Sequence, residues 1–316
     1  SVVHPDSSEQ TGGWWISALQ ALIDAQLIQL VDERRYRMLS TIREFGLRQL
    51  NSGGERQDAE VGRYRWCLDL ARRSDDALRG DLSPDLLAEV ESELDNIRAA
   101  MKWAVGQSTQ GDEREMAVRL ANAMWPFWSY RGYWSEATDW LERSVVAAGE
   151  TVSVPIAVAC MYAGHGMPGR TENNIVWYER SLQQFRQLGD DQGIAVAIGS
   201  LASAHIQAGH ADSAVALGQE ALDRLIGLDG DRRASIVTSR IILSNALLES
   251  GRAAEARTEL EAAISLAGEI GSDRSARSAI SALARLNRIM GRHSEAISAL
   301  QAMVEHAVES GDRNAE

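Results

Sequence analysis

Five glycines, Gly132, Gly169, Gly209, Gly251 and Gly291, recur at nearly even spacing along the chain. A second set, Gly149, Gly189, Gly230, Gly271 and Gly311, keeps step with it at intervals of 40, 41, 41 and 40 residues. Self-similarity at such a period marks a solenoid, in which each unit buries its apolar face only by stacking on its neighbours. Most of the chain therefore has one helical unit to copy. Solenoids bind more often than they catalyse.

The unit can be read between the glycines. Eight residues before each member of the first set stand Met124, Met161, Leu201, Leu243 and Leu283, all apolar. Five residues after it stand Ala137, Asn174, Ala214, Ala256 and Ala296, small in four units of five, which lets two helices approach closely. Thirteen after it come Val145, Leu182, Leu222, Ile264 and Val304, the buried stripe of a second helix. Each unit reads as helix, glycine turn, helix, and a second glycine suited to a left-handed helix end. The pattern resembles the tetratricopeptide repeat, lengthened beyond that family's usual span of about 34 residues. The second unit fits least well, because Asn174 replaces the small residue and Gly164, Gly166 and Pro168 disfavour helix. A shortened or kinked first helix is expected there.

Charge narrows the function classes. Residues 107–316 hold 27 acids and 19 arginines, a balance of minus 8, where a phosphate-binding groove needs the opposite sign. Residues 28–50 are the exception, with Arg34, Arg35, Arg37, Arg43 and Arg48 against Asp32, Glu33 and Glu44. No apolar run is long enough to span a bilayer and the start lacks a signal-peptide pattern, so a cytoplasmic location with no membrane partner is expected. Cys67 and Cys160 match no metal or redox spacing and read as reduced, buried thiols.

The exception sits in a different structure. Residues 15–26 read as an amphipathic helix, 27–31 and 36–39 as two strands about a polar turn, and 41–50 as a helix with Ser40 as its N-cap. Helix, hairpin, helix is the core of a winged helix, here without its first helices because residues 1–13 are polar and aperiodic. The chain is expected to be cut from something larger. Residues 55–107 read as two helices, the second carrying a continuous stripe of Leu87, Val90, Leu94, Ile97, Met101 and Ala104 that caps the solenoid. Glu91, Glu93 and Asp95 alternate and so read as a solvated face rather than an acid–base pair.

Three motifs carry a more specific resemblance. Tyr36-Arg37-Met38-Leu39-Ser40-Thr41-Ile42-Arg43-Glu44-Phe45 resembles the Tyr-Arg-x-Leu-x-Thr-Ile-Arg-Glu-Tyr signature of large actinobacterial regulators of the STAND class. Glu93-Leu94-Asp95-Asn96-Ile97-Arg98-Ala99-Ala100-Met101-Lys102-Trp103-Ala104 resembles a second signature of the same proteins, and Phe127-Trp128-Ser129-Tyr130-Arg131-Gly132 with Trp140-Leu141-Glu142 is similar to their first repeat. The resemblance implies an NTPase module before this chain as a partner within the same protein. It also implies DNA contact through other domains, often a LuxR-type helix-turn-helix after the repeats.

The chain itself shows no chemistry of that module. Gly-x-x-x-x-Gly-Lys-Ser/Thr is absent, so no phosphate cradle, cofactor or ATP hydrolysis is expected. His205 and His210 are five apart, a spacing that separates side chains on a helix, and they read as no metal pair. Asp190, Asp191, Asp229 and Asp231 flank helix starts and read as caps. Four residues before the turn glycines stand Trp128, His165, His205, Leu247 and Asn287, where the histidines read as neutral.

By the family's register the first helix of each pair lines a concave wall. Its outward positions include Arg119, Asn122, Ser203, Asn245, Arg285 and Arg288, which can hold a peptide, a protein partner or a small effector. Seven aromatics between Trp125 and Trp140 read either as core or as a second binding surface around Trp128 and Trp134. The expected protein is mainly α: a partial winged helix with one β-hairpin over 1–52, a helical linker and cap over 53–107, and five tetratricopeptide-like repeats forming an α-α superhelix over 108–316. Its expected role is the control arm of a transcriptional regulator and not an enzyme. A plain protein–protein adaptor and DNA binding through the wing are the alternatives.

Overall fold

The computed structural model describes residues 14–32, 35–79, 84–107, 111–166 and 171–309 of the 316. Among these are fifteen α-helices and one two-stranded antiparallel sheet, so the chain is mainly α with a single hairpin, as the glycine ladder and the polar turn predict. It divides into two compact units, Ser1–Arg131 and Gly132–Glu316.

In the first unit α1 (Trp14–Asp24) closes on Gln26, whose φ of 56° is left-handed, and the Leu27 N–H donates to the Leu22 carbonyl at 2.9 Å. Strands β1 (Ile28–Asp32) and β2 (Arg35–Met38) pair with Ile28 opposite Met38 and Leu30 opposite Tyr36, and the register slips once before Asp32 meets Arg35. Helix α2 (Ser40–Ser52) corrects one expectation: Leu39 is the N-cap, without a side-chain cap bond, and Ser40 is already helical. Extended backbone at Leu39 admits the helix one residue early, which leaves the serine hydroxyl past the capping position.

Three helices follow where two were predicted: α3 (Arg56–Arg79), α4 (Pro84–Ser92) and α5 (Leu94–Gln107). The stripe from Leu87 to Ala104 is buried throughout, yet the helix breaks at Glu93. Glu93 is no solvated residue either. It is 9% exposed, ion-paired with Arg35 of β2 at 3.3 Å and bonded by the Asn96 amide, while Arg35 also donates to the Ser92 carbonyl. A carboxylate taken out of water needs such partners, and they bind the hairpin to the α4–α5 corner. Helix α6 (Met116–Arg131) then packs on α3 and α5, burying Leu120, Met124, Phe127 and Trp128.

The second unit stacks α7 (Trp134–Ala148), α8 (Val154–Gly164), α9 (Thr171–Leu188), α10 (Asp191–Gln207), α11 (Ala211–Ile226), α12 (Arg233–Glu249), α13 (Ala253–Glu269), α14 (Asp273–Ile289) and α15 (His293–Glu309). Contacts run between successive helices and between α10, α12 and α14. The glycine ladders are the hinges of this stack. At Gly251 the φ is 78°, and the Arg252 N–H reaches back to the Leu247 carbonyl at 2.8 Å. The same closure recurs at Gly189, Gly209, Gly271 and Gly291, while Gly169 and Gly311 lie outside the described residues.

The small position five residues past the turn is buried in all five pairs, Asn174 included. Helix α8 has 11 residues where α10, α12 and α14 have 17, the shortening expected of the second unit.

Candidate functional site

Shortening α8 opens space inside the second unit. A cavity of about 600 Å³ lies there, walled by α8, α9, α10, α11 and α12. Its floor is aromatic. Tyr178 is buried and lies against Gly164, where a Cβ would sit 2.6 Å from the phenol ring, so the glycine lets the ring seat. Burial pushes the Tyr178 phenol well above its ordinary pKa.

His165 stands edge-on to Tyr178 at 5.6 Å and to Tyr162 at 6.3 Å. Loss of hydration lowers the pKa of its imidazole, with the Met161 carbonyl opposing, so the neutral form prevails at neutral pH. Nδ1 lies 2.7 Å from that carbonyl, which assigns the proton to Nδ1 and leaves Nε2 as an acceptor.

The remaining described wall mixes apolar Met161, Val196, Leu225 and Ile242 with uncharged polar side chains. Ser200 donates to the Val196 carbonyl at 3.1 Å, Ser203 to Gly199 at 3.3 Å and Thr238 to Ala234 at 3.2 Å, so these hydroxyls offer lone pairs to the cavity. Asn174 and Ser239 also line it. Both are buried, Asn174 to 6% exposure. Among the described residues no lysine, arginine, aspartate or glutamate lines the cavity.

A larger, more open depression of about 830 Å³ beside Glu142, Glu172 and Arg180 is closed by its own bonds. There the Trp177 indole N–H and the Asn173 amide both donate to Glu142, at 3.1 and 3.3 Å. The cavity, with buried polar side chains in its wall, is the better candidate.

The outward positions taken from the family's register fall in three groups. Ser203 lines the cavity. Asn245 and Arg285, forty residues apart, meet across α12 and α14, the guanidinium donating to the amide oxygen, and Arg288 is exposed nearby on α14. Arg119, in the first unit, is held by Glu115 at 2.7 and 3.1 Å, and Asn122 is half-buried on the same helix.

The aromatic surface needs correction. Trp128 is 1% exposed and belongs to the core of the first unit, because its position on α6 faces inward, whereas Trp134 is 36% exposed. His205 and His210 also differ from helical expectation. Helix α10 ends at Gln207 and Gly209 turns the chain, bringing the rings to 5.6 Å. No third ligand joins them, since no group of three metal-binding side chains exists among the described residues.

Of the aspartates, Asp190 is a cap and Asp231 an ion-pair partner of Arg233. Asp190 accepts the Gly193 N–H at 2.9 Å, and hydrogen bonds from Arg233 hold the Asp231 carboxyl down at about 2. Asn174, Gly164 and Gly166 were legible only as departures from the repeat. That departure was the available signal for the cavity.

No protein-family model matches the chain. It is 30% identical over 128 residues to proteins of Mycobacterium bovis and Mycobacterium tuberculosis that carry the provisional name HTH-type transcriptional regulator. The match covers 40% of this chain and 14% of each relative.

Among solved structures it is similar to NprR in complex with its cognate peptide NprX, with a TM-score of 0.58 and 15% identity over 95% of this chain and 80% of that one. It is also similar to a Rap protein complexed with Competence and Sporulation Factor, with a TM-score of 0.55 and 12% identity over 79% and 77%. These likenesses show the fold of the tetratricopeptide-like stack. No helix among the described residues is long and apolar enough to cross a membrane.

Proposed function

We propose that this chain is the sensing and control arm of a transcriptional regulator, binding a peptide, small effector or protein partner through its helical repeats. The observation that carries the reading is a cavity in the repeat stack whose described lining is uncharged and includes the buried polar residues Asn174 and Ser239. The mycobacterial relatives named as regulators support the regulatory half, and the peptide complex of NprR supports the binding half.

In this reading the helix–hairpin–helix of residues 14–52 belongs to a winged helix. A STAND-type NTPase module, with the three signatures as its warrant, is the element controlled. Occupancy of the repeats biases that module only if the ligand binds two states of the protein unequally. Ser203, Asn245, Arg285 and Arg288 are the proposed contacts in the second unit, and Arg119 and Asn122 those in the first.

DNA binding through the hairpin is weaker, because Arg35 is turned to Glu93 and the Ser92 carbonyl instead of outward. An adaptor without an effector remains the second reading, favoured by the exposed Arg285 and Arg288 on α14.

The test is regulator-dependent transcription in cells whose chromosomal copy carries Arg285→Glu with Arg288→Glu, beside Asn174→Ala. Loss of the response in either variant at unchanged helicity supports the control arm; a normal response in both overturns it.

A further inference from the structure

We infer that the helix–hairpin–helix of residues 14–52 is a hinged arm, latched onto the helical cap by Arg35 and pivoting at Gly53 and Gly54. The device lies in the first unit alone and is independent of what the repeats bind.

The sequence supplies this arm with apolar residues that its fold does not bury. Among the described residues from 16 to 52 Ile28 alone is buried, while Ile16, Leu30, Tyr36, Leu39 and Phe45 are each more than 40% exposed. Helix α2 touches α3, yet none of its 13 residues is buried. An orientation held by so little apolar burial belongs to the low-stability end of a structure. A directional contact has to fix it.

Arg35 makes such a contact. Its guanidinium reaches two groups of the α4–α5 corner at once, the Glu93 carboxylate from Nε at 3.3 Å and the Ser92 carbonyl from a terminal nitrogen. Glu93 is itself positioned, because the Asn96 amide donates to its other oxygen. Two bonds from one planar fork set a direction as well as a distance, which a point charge does not. The Arg35 side chain is 41% exposed against 11% for Glu93, so water or a competing anion reaches the latch from the arginine side.

The chain between arm and cap is built to turn. Helix α2 closes on Gly53 and α3 begins at Arg56. Gly54 has a φ of 73°, in the left-handed region that glycine enters freely, and nothing lies within 4 Å of a Cβ placed there. Residues 51–59 are all exposed. Adjacent glycines in open surroundings absorb a change of φ and ψ at little cost, as a hinge requires. Engaged and released arms are then two states of one fold, and whatever binds one of them better shifts the balance.

The test uses the 316-residue chain with spin labels on Gln29→Cys and Lys102→Cys, exposed positions on β1 and α5, and reads the distance between them by pulsed electron resonance. Both native thiols are buried, which keeps the label to the new sites. The parent should give one narrow distribution. Arg35→Ala should broaden it at unchanged helicity and speed amide exchange across residues 14–52 roughly tenfold. Arg35→Lys should fall between, because an ammonium meets one of the two partners at a time. Arg35→Ala with Glu93→Gln should be no broader than Arg35→Ala alone, since the latch is already open. Gly53→Ala added to Arg35→Ala should narrow the released distribution, because a φ of −80° suits alanine and stiffens the link.

A distribution left narrow by Arg35→Ala overturns the latch, as does a double variant broader than Arg35→Ala. Broadening accompanied by rapid labelling of Cys67 in α3 also overturns it, since Arg35 would then be holding the cap together instead of an arm against it. A released distribution that Gly53→Ala leaves as wide overturns the pivot. The control-arm reading stands or falls by its own variants in the repeats.

Discussion

Gly193 and Gly199 lie six residues apart on α10 and make opposite demands. A Cβ on Gly193 would sit 2.2 Å from the buried Phe185 ring, whereas one on Gly199 would meet nothing closer than 3.6 Å. Gly193→Ala should therefore destabilise by about 1–3 kcal/mol through overpacking. Gly199→Ala should stabilise by about 0.5–1 kcal/mol by removing helix-interior flexibility. Urea titration of both variants beside the parent checks the pair, and equal midpoints would refute the packing argument. Neither difference is visible in sequence, because both glycines read simply as weak helix formers. Asn174 was more legible. It stood out as the misfit in a column of alanines, but that its amide would line a cavity depended on α8 ending early and on Tyr178 folding over Gly164, neither of which spacing reveals.

Helices and turns were the most readable scale, since a left-handed glycine and an apolar stripe act within a few residues of themselves. At Gly251 nothing lies within 4 Å of a would-be Cβ, so the whole cost of Gly251→Ala is backbone strain at a φ of 78°. A loss of about 1 kcal/mol is expected, with Gly251→Asn milder because asparagine tolerates that region. Chemical denaturation of both separates strain from packing, and an alanine variant as stable as the asparagine one would contradict it. The break between α4 and α5 escaped sequence reading for a physical reason. Its apolar stripe continues across the corner, and what bends the chain is Glu93 meeting Arg35, a residue 58 positions earlier. Ser40 misled in the same way, since capping was decided by the backbone of Leu39.

Across the whole molecule, buried acids of weak strength tie stability to alkaline pH. Burial pushes the Cys67 thiol and the Tyr64 phenol up to about 12 and the Cys160 thiol up to about 11, from ordinary values near 9 and 10. The folded state thus holds protons that the unfolded chain releases between about pH 9 and pH 12, and stability must fall as pH rises through that window. The midpoint of urea unfolding should stay level to about pH 8.5 and decline above it. Neither thiol should react with a disulfide reagent at pH 8 until the chain is unfolded, and rapid native-state labelling would show that the thiols are not sealed. The last helix carries a different consequence. Helix α15 packs chiefly on α14, with Glu295 also paired to Arg257 of α13 at 3.1 Å, and Val304, in the stripe that every earlier pair covers at least in part, is 41% exposed. A stack joined mainly through neighbouring helices loses order first where a helix is least covered, so in the 316-residue chain taken by itself amide exchange should be fastest on α15 and slow progressively toward α10. Uniform exchange along the array would mean that it melts as a block. If the gradient is found, the cavity between α8 and α12 lies in the durable part of the array, and helices near α15 unravel and re-form without disturbing it.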